Sequence, residues 1–332
     1  MPTGASRCGA IHSTVAGFVV ILVAALAFVV AATPATASSA APAGASNRCT
    51  PQGTPQPSTQ TIDVDGVARQ YRVAMPARGG TGLRPLILNF HGGGATADQH
   101  ALYSELEEKG PARGFVVITP DVGEQKFWTI ATPNPTPDSF EINPLSNLAF
   151  TTALIDTAVA DLCVDARRVY ATGFSAGATM SAYLGCTLSR QIAAIAPVSG
   201  VNIGAPCPTG KPMPVVAFHG TADANVPYAG GGLCCPDVNV PSVEAAVRVW
   251  AERAECQTKP SRKRIGTEVE RIAYGGCGRS ADVVLYKVVN GGHTWPGGVD
   301  YPPNGHTTQD INAADLILDF FSQHPRAKSA KP

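Results

Sequence analysis

Ser175, Asp223 and His293 are the side chains whose types, order and surroundings allow covalent chemistry. A serine hydroxyl is a weak nucleophile until a base takes its proton. The base in turn needs an acid to orient it and to stabilise the charge it gains. Ser175 sits in the pentapeptide Gly173-Phe174-Ser175-Ala176-Gly177. In a G-x-S-x-G run of this kind, a sharp strand-to-helix turn holds the serine in a strained backbone conformation, and the flanking glycines relieve crowding. Asp223 lies in His219-Gly-Thr-Ala-Asp-Ala-Asn-Val-Pro-Tyr228, and His293 in Asn290-Gly-Gly-His-Thr-Trp-Pro-Gly-Gly298. Each segment follows an apolar, strand-like run, so serine, acid and histidine arrive in that order on successive loops. An anion formed during acyl transfer needs preformed backbone donors. His91-Gly-Gly-Gly94 has the form of such a loop, with one donor expected from Gly93 or Gly94 and the other from Ala176.

Other residues compete for these roles. His219 precedes the acid and is expected to brace its loop, while His306 has no strand directly before it. His100 and His324 read as surface positions, and Asp121, which comes before the serine, reads as a turn former. Asp237, beside Cys235 and Pro236, is a weaker acid candidate. Trp295, Trp128 and His91 are the candidate substrate-binding side chains, with core packing the alternative for both tryptophans, and Tyr228 is expected to pack against the acid loop. The glycine run at 91 lacks G-x-G-x-x-G spacing, no P-loop is present, and there is no C-x-x-C or His-Cys cluster. Neither a nucleotide cofactor nor a metal is expected.

The elements that must carry these residues alternate between strand and helix. Thr61 to Val73 reads as a hairpin around Asp65-Gly66, a favoured type I′ dipeptide. Pro85–Phe90, Phe115–Thr119, Val169–Thr172, Gln191–Pro197, Met213–Phe218 and Val283–Val289 are short apolar strands. Helices are expected at about Leu148–Leu162, from Ala176 onward, at Ser242–Glu255 with Ser242 as N-cap, and at Ile311–Ser322. Continuously apolar strands separated by helices predict a mostly parallel, doubly wound sheet covered on both faces, with the hairpin as an antiparallel edge. The Pro-, Asn- and Thr-rich stretch from Gly123 to Ser146 is the candidate loop over the site.

The chain of 332 residues carries 25 basic and 25 acidic side chains, so no global charge draws it to nucleic acid. Its first 37 residues read as a signal peptide, with Arg7 ahead of an apolar run from Val15 to Ala32 and the cleavage pattern Ala35-Thr36-Ala37. An uncleaved anchor formed by residues 15–32 is the alternative. Residues 38–59 are expected to be a flexible leader, 60–325 a single catalytic domain and 326–332 a disordered tail. Nine cysteines are present, and Cys8 would leave with the signal. The even number remaining implies disulfides in an exported chain. Proximity suggests Cys256–Cys277 and Cys186–Cys207, then Cys49–Cys163, with Cys234 and Cys235 bonded to each other or cross-paired.

Taken together, His-Gly-Gly-Gly at 91, Gly-Phe-Ser-Ala-Gly at 173 and the long segments at 219 and 291 resemble one family. It is the secreted polyhydroxybutyrate-depolymerase-like esterases, which include feruloyl and acetylxylan esterases of carbohydrate esterase family one. The resemblance extends to the hairpin at Asp65-Gly66 and to Cys163-Val-Asp-Ala-Arg-Arg-Val-Tyr170, and spans about residues 60 to 322. It implies an α/β-hydrolase fold, no cofactor, and the triad Ser175, Asp223 and His293. It also implies an ester substrate, either feruloyl or acetyl esters of plant polysaccharide or short hydroxyalkanoate polyesters; no stable protein partner is implied. A non-catalytic binding protein on the same fold and a serine peptidase are the rival readings. Family members often carry an Asp-Asp pair before the nucleophile strand. This chain has Ser146-Asn147 instead, which touches the local surface and substrate but not the triad.

Overall fold

The computed structural model describes residues 56–77, 82–128, 144–203, 211–233, 239–278 and 281–327. The expected signal peptide, most of the leader, Cys49, Cys207, Cys234, Cys235, Asp237 and the greater part of the loop at 123–146 lie outside them.

The hairpin forms as the Asp65-Gly66 dipeptide dictates. Strand β1 (Ser58–Val64) pairs antiparallel with β2 (Val67–Ala74), and both turn residues have positive φ, 54° and 81°. Ser58 and Thr59, assigned to the leader, are already paired with Val73 and Arg72. Next come β3 (Arg84–Phe90), helices α1 (Ala97–Ser104) and α2 (Leu106–Ala112), and β4 (Val116–Pro120). Helix α3 (Pro144–Asp161) starts earlier than its apolar pattern suggested and leads to β5 (Val164–Phe174), α4 (Ala176–Thr187) and β6 (Ile192–Val198). Strand β7 (Val215–Gly220), the two-residue strands β8 (Gly231–Gly232) and β9 (Asn239–Val240), and α5 (Val243–Arg253) follow. The chain then makes a hairpin, β10 (Ser261–Ile265) with β11 (Val269–Tyr274), before β12 (Val283–Val288) and α6 (Ala313–Gln323).

Ten strands join in one sheet in the order β1-β2-β4-β3-β5-β6-β7-β12-β11-β10. The six from β4 to β12 are parallel, and an antiparallel hairpin closes each end. The hairpin β10–β11 was not expected. Its outer strand reads Ser-Arg-Lys-Arg-Ile and is largely exposed, so it carries no apolar alternation; charged side chains of this kind keep a sheet edge from pairing with another chain.

Alternate strand residues feed two apolar layers. Leu86, Leu88 and Phe90 of β3 pack with Phe150 and Leu154 of α3, Met180 and Leu184 of α4, and Val247 and Trp250 of α5. Ile87, with Tyr170 and Phe174 of β5, packs on Leu106 of α2 and on Ile317, Leu318 and Phe321 of α6. Ser242 caps α5 as predicted, accepting from the Ala245 N–H.

Two histidines that read as surface positions are interior. His324 is buried, with Nδ1 at 2.7 Å from the Phe320 carbonyl and Nε2 at 3.2 Å from Asp282 Oδ2. His100 faces β3 from α1, a helix the apolar pattern did not reveal; its Nε2 lies 2.8 Å from Asn89 Oδ1, and Asn89 donates to Ser104 Oγ. Arg326, assigned to the tail, donates from its backbone to the Arg167 carbonyl and from its guanidinium to that of Ala166. Asn147, which replaces the family's acidic pair, is not a surface residue: it is fully buried on α3 and accepts from Arg69.

Burial, with His91 adding to it, pushes His100 from its ordinary 6.5 down to about 3. Between those two values the unfolded chain holds a proton on His100 that the native state does not. Its contribution to stability is therefore complete above pH 6.5 and is lost as pH falls toward 3, at up to about 1.4 kcal/mol per pH unit. His100→Gln retains a donor for Asn89 but does not titrate. Urea unfolding across this window is expected to show a shallower pH dependence for the variant by about one proton, and equal slopes would exclude His100 as the source.

Candidate active site

β5 ends against its neighbours so tightly that the next residue has little choice of conformation. Ser175, between β5 and α4, takes φ 56° and ψ −116°, a region costing a residue with a side chain of order 1–3 kcal/mol. Its N–H donates to the Val198 carbonyl, and its own carbonyl accepts from the Thr179 N–H. A Cβ on Gly177 would overlap the Phe90 and His91 carbonyls. Helix α4 can thus start directly against the end of β3 only because position 177 has no side chain.

The acid and histidine loops meet one strand pair away. Asp223 follows β7, and His293 follows the adjacent β12. The two loops are stitched by Ala222 N–H to the Gly291 carbonyl at 2.9 Å and Asn290 N–H to Thr221 Oγ1 at 2.8 Å. A Cβ on Gly220 would overlap the Gly291 backbone, so this approach also depends on glycine. Asp223 Oδ2 lies 2.8 Å from His293 Nδ1, and both residues are 5% exposed. Its other oxygen accepts from the backbone N–H groups of Asn225 and Val226, at 2.9 and 2.8 Å. Burial pushes the Asp223 carboxyl up, but hydrogen bonds from His219 and His293 outweigh it and hold the group well below the usual carboxylate range. Since Nδ1 faces the carboxylate, Nε2 is the ring nitrogen left to face a hydroxyl. The His293 ring packs on Phe174, the residue before Ser175, with centroids 4.7 Å apart. Among the described residues, no hydrogen bond joins His293 directly to Ser175. Such contacts often close only around substrate.

The glycine loop sits beside the serine. A Cβ on Gly92 would stand 3.1 Å from the Phe174 ring and 3.7 Å from Ser175 Cβ. The Gly94 N–H is taken by the Lys126 carbonyl at 2.8 Å, which removes it as an anion donor. Gly93 remains, together with Ala176, which as the first residue of α4 has no intrahelical acceptor for its N–H.

The three side chains expected to touch substrate belong instead to the supporting frame. His91 is fully buried: Nδ1 approaches the Gly92 carbonyl at 2.7 Å, and Nε2 accepts from the Val122 N–H. Trp128 is buried, donates from Nε1 to the His91 carbonyl and meets Phe90 edge-on. Trp295 is fully buried with its ring near His100, and its backbone N–H donates to the Tyr103 hydroxyl. Tyr103 had no signal in the sequence. Its ring packs on Phe174, and burial raises its hydroxyl to about 12. Asp121 forms the expected turn, accepting from the Gly123 and Ala97 N–H groups, while Tyr228 stands edge-on to His219 in the acid loop. His306 is on the surface, paired with Glu268.

Residues 82–235 match the family model described as Phospholipase/Carboxylesterase. The chain is 32% identical to NocK of Nocardia uniformis subsp. tsuyamanensis, a protein assigned as an esterase, over 79% of this chain and 82% of that one. The chain belongs to the α/β-hydrolase esterases. Within that family it is 25% identical to feruloyl esterase D of Neurospora crassa, across 94% of this chain and 98% of the relative. An acetyl xylan esterase from Aspergillus awamori shares the fold with a TM-score of 0.56 and 14% identity, over 80% of this chain and 99% of that structure. The esterase is thus a hydrolase acting on ester bonds.

Cys256 and Cys277 form the expected disulfide, which ties the end of α5 to the segment after β11. Cys163 and Cys186 are also disulfide-bonded, and their expected partners lie outside the described residues. Among the described residues no group of three or more His, Cys, Asp or Glu side chains could hold a metal ion, and no helix is long and apolar enough to cross a membrane.

Gly177→Ala tests the packing that makes the elbow. Because the new methyl would meet two backbone carbonyls, it is expected to cost about 3 kcal/mol or more, since backbone shifts must accommodate it. Urea unfolding of the variant checks this. A loss below about 1 kcal/mol would show that α4 can move away from β3.

Proposed function

We propose that this esterase works through Ser175, His293 and Asp223 by an acyl-enzyme mechanism. The observation that carries the reading is the buried Asp223–His293 hydrogen bond, on a loop pair whose imidazole packs against the residue preceding a strained serine. Ser175 Oγ attacks the ester carbonyl as His293 Nε2 takes its proton. The tetrahedral anion is received by the N–H groups of Gly93 and Ala176, a contribution of roughly a few kcal/mol. Collapse expels the alcohol, which takes the proton from His293 and leaves the acyl group on Ser175. Water then attacks with the same base, releasing the carboxylic acid and restoring the hydroxyl. Asp223 keeps the His293 proton on Nδ1 and balances the imidazolium.

The relatives named feruloyl esterase and acetyl xylan esterase support aromatic-acyl or acetyl esters of plant polysaccharide as the substrate class, with short hydroxyalkanoate polyesters as the second choice. The apolar run ahead of Ala35-Thr36-Ala37 and the bonded cysteines support export, with cleavage after Ala37 and residues 60–325 acting as one catalytic domain. Pairing of Cys163 with Cys49 and of Cys186 with Cys207 belongs to the same reading.

Ser175→Ala is expected to lower kcat/KM on p-nitrophenyl acetate and butyrate by roughly 10⁴-fold or more while leaving the fold intact. Equal, slow hydrolysis by variant and wild type would sink the mechanism. A panel of methyl ferulate, acetylated xylan and hydroxybutyrate oligomers then ranks the substrate classes. N-terminal sequencing of exported protein is expected to begin at Ser38, and a start at Met1 would overturn cleavage.

A further inference from the structure

His219 lies at the end of β7, four residues before the acid, with its side chain fully enclosed. Its Nε2 is 2.8 Å from the Val226 carbonyl and 3.3 Å from Asp223 Oδ2. Neither a carbonyl nor an ionised carboxylate can donate, so Nε2 carries the proton and its N–H is shared between the two oxygens. Nδ1 is buried and meets no partner among the described residues. The carboxylate oxygen that His219 reaches is the one that meets His293 Nδ1. The second oxygen is held by the N–H groups of Asn225 and Val226, and Val226 is also the residue whose carbonyl takes the other share of the His219 proton. A histidine that only braced its loop would need the Val226 contact alone.

We propose that His219 is a positioning residue for the esterase reaction, its shared Nε2–H locking Asp223 Oδ2 in the place where His293 meets it. The inference rests on the mechanism above. The Asp223 side chain can turn about its own torsions, and the backbone donors restrain only Oδ1. His219 adds a second restraint on Oδ2 besides the imidazole N–H, and ties it to Val226 in the turn that the carboxylate itself organises. Without that donor the oxygen is buried with one partner fewer, and the carboxylate can swing away from His293. A displaced orienting group withdraws support from the base in the transition state. Substrate is still bound as before, so the loss should fall on kcat.

Three substitutions separate this role from simple packing. His219→Gln places an amide donor near the position of Nε2, His219→Leu keeps bulk without a donor, and His219→Asn carries a donor too short to reach Oδ2. Each is assayed for kcat and KM on p-nitrophenyl acetate, for the rate of Ser175 labelling by a fluorophosphonate, and for its thermal midpoint, with Ser175→Ala in parallel. The leucine variant is expected to lose roughly 10- to 100-fold in kcat and in labelling rate, with KM within about twofold. Glutamine is expected to recover at least half of that loss on a logarithmic scale, and asparagine to behave as leucine does. Should the leucine variant fail to fold, the glutamine–asparagine comparison carries the same distinction. Equal activities of glutamine and asparagine, or a leucine variant within about twofold of wild type, would overturn the role of His219. If wild type itself shows no turnover beyond Ser175→Ala, it is the mechanism that fails instead.

Discussion

No side chain fits at position 177, and much of the site follows from that. With only a hydrogen there, the first turn of α4 lies against the Phe90 and His91 carbonyls at the end of β3. This contact brings the loop after β3 and the residue after β5 side by side, at the point where strand order changes direction: β4 lies on one side of β3, and β5 on the other. A crevice outside the carboxyl ends of the strands is expected at such a switch. The same contact holds Ser175 at positive φ, since β5 is hydrogen-bonded to β3 and β6 on its two sides and the serine N–H is claimed by Val198. The strain at Ser175 and its nearness to Gly92 are two results of one approach.

A second close approach, made independently, holds Asp223 and His293. Gly220 against Gly291 lets the loops after β7 and β12 touch, and the backbone bonds at Ala222 and Asn290 fix their register. Asp223 then accepts on both oxygens, which explains how a buried carboxyl stays ionised despite the desolvation working against it. Phe174 links the two halves. Its ring lies against His293 and Tyr103, and Tyr103 in turn receives the Trp295 N–H from the loop that carries the histidine. Tilting any one of these rings would move the imidazole relative to the elbow.

The order Ser175, Asp223, His293 and the strands before each were legible in the sequence because buried parallel strands are continuously apolar and end in glycine-rich turns. What escaped notice did so for physical reasons. Helices α1 and α2 are short, separated by Glu105 at positive φ and interrupted by Pro111, so neither builds an apolar stripe; only the capping pair Thr96 and Gln99 marks the start of α1. Without an apolar stripe to mark α1, nothing in the sequence places His100 or Tyr103 in the interior. Strand β10 is polar because it is an edge. Aromatic rings near glycine-rich loops fit recognition and core packing equally in a sequence; the structure decides for packing, with the indole of Trp128 committed to the His91 carbonyl and that of Trp295 enclosed beside His100. Gly94 could not be told from Gly93 without knowing that the Lys126 carbonyl comes back to meet it.

These corrections divide the site into a buried frame and an exposed rim. His91, His100, His219, Trp128 and Trp295 are all interior, and their hydrogen bonds fall on β3, on α1 and on the loops at the strand ends. Burial lowers both His91 and His100, disfavouring their charged forms. Phe127 is placed differently. The segment 126–128 is clamped to the glycine loop by the Gly94 and Trp128 hydrogen bonds, and between those clamps the Phe127 ring occupies the space where a Cβ on Gly93 would stand, yet it is 45% exposed. An apolar ring held at Gly93 and open to solvent can contact an approaching ester, which the buried side chains below it cannot. Substitution at Phe127 can therefore alter which acyl or alcohol group is accepted at little cost to the fold, whereas changes to the five interior residues act on the geometry common to every substrate.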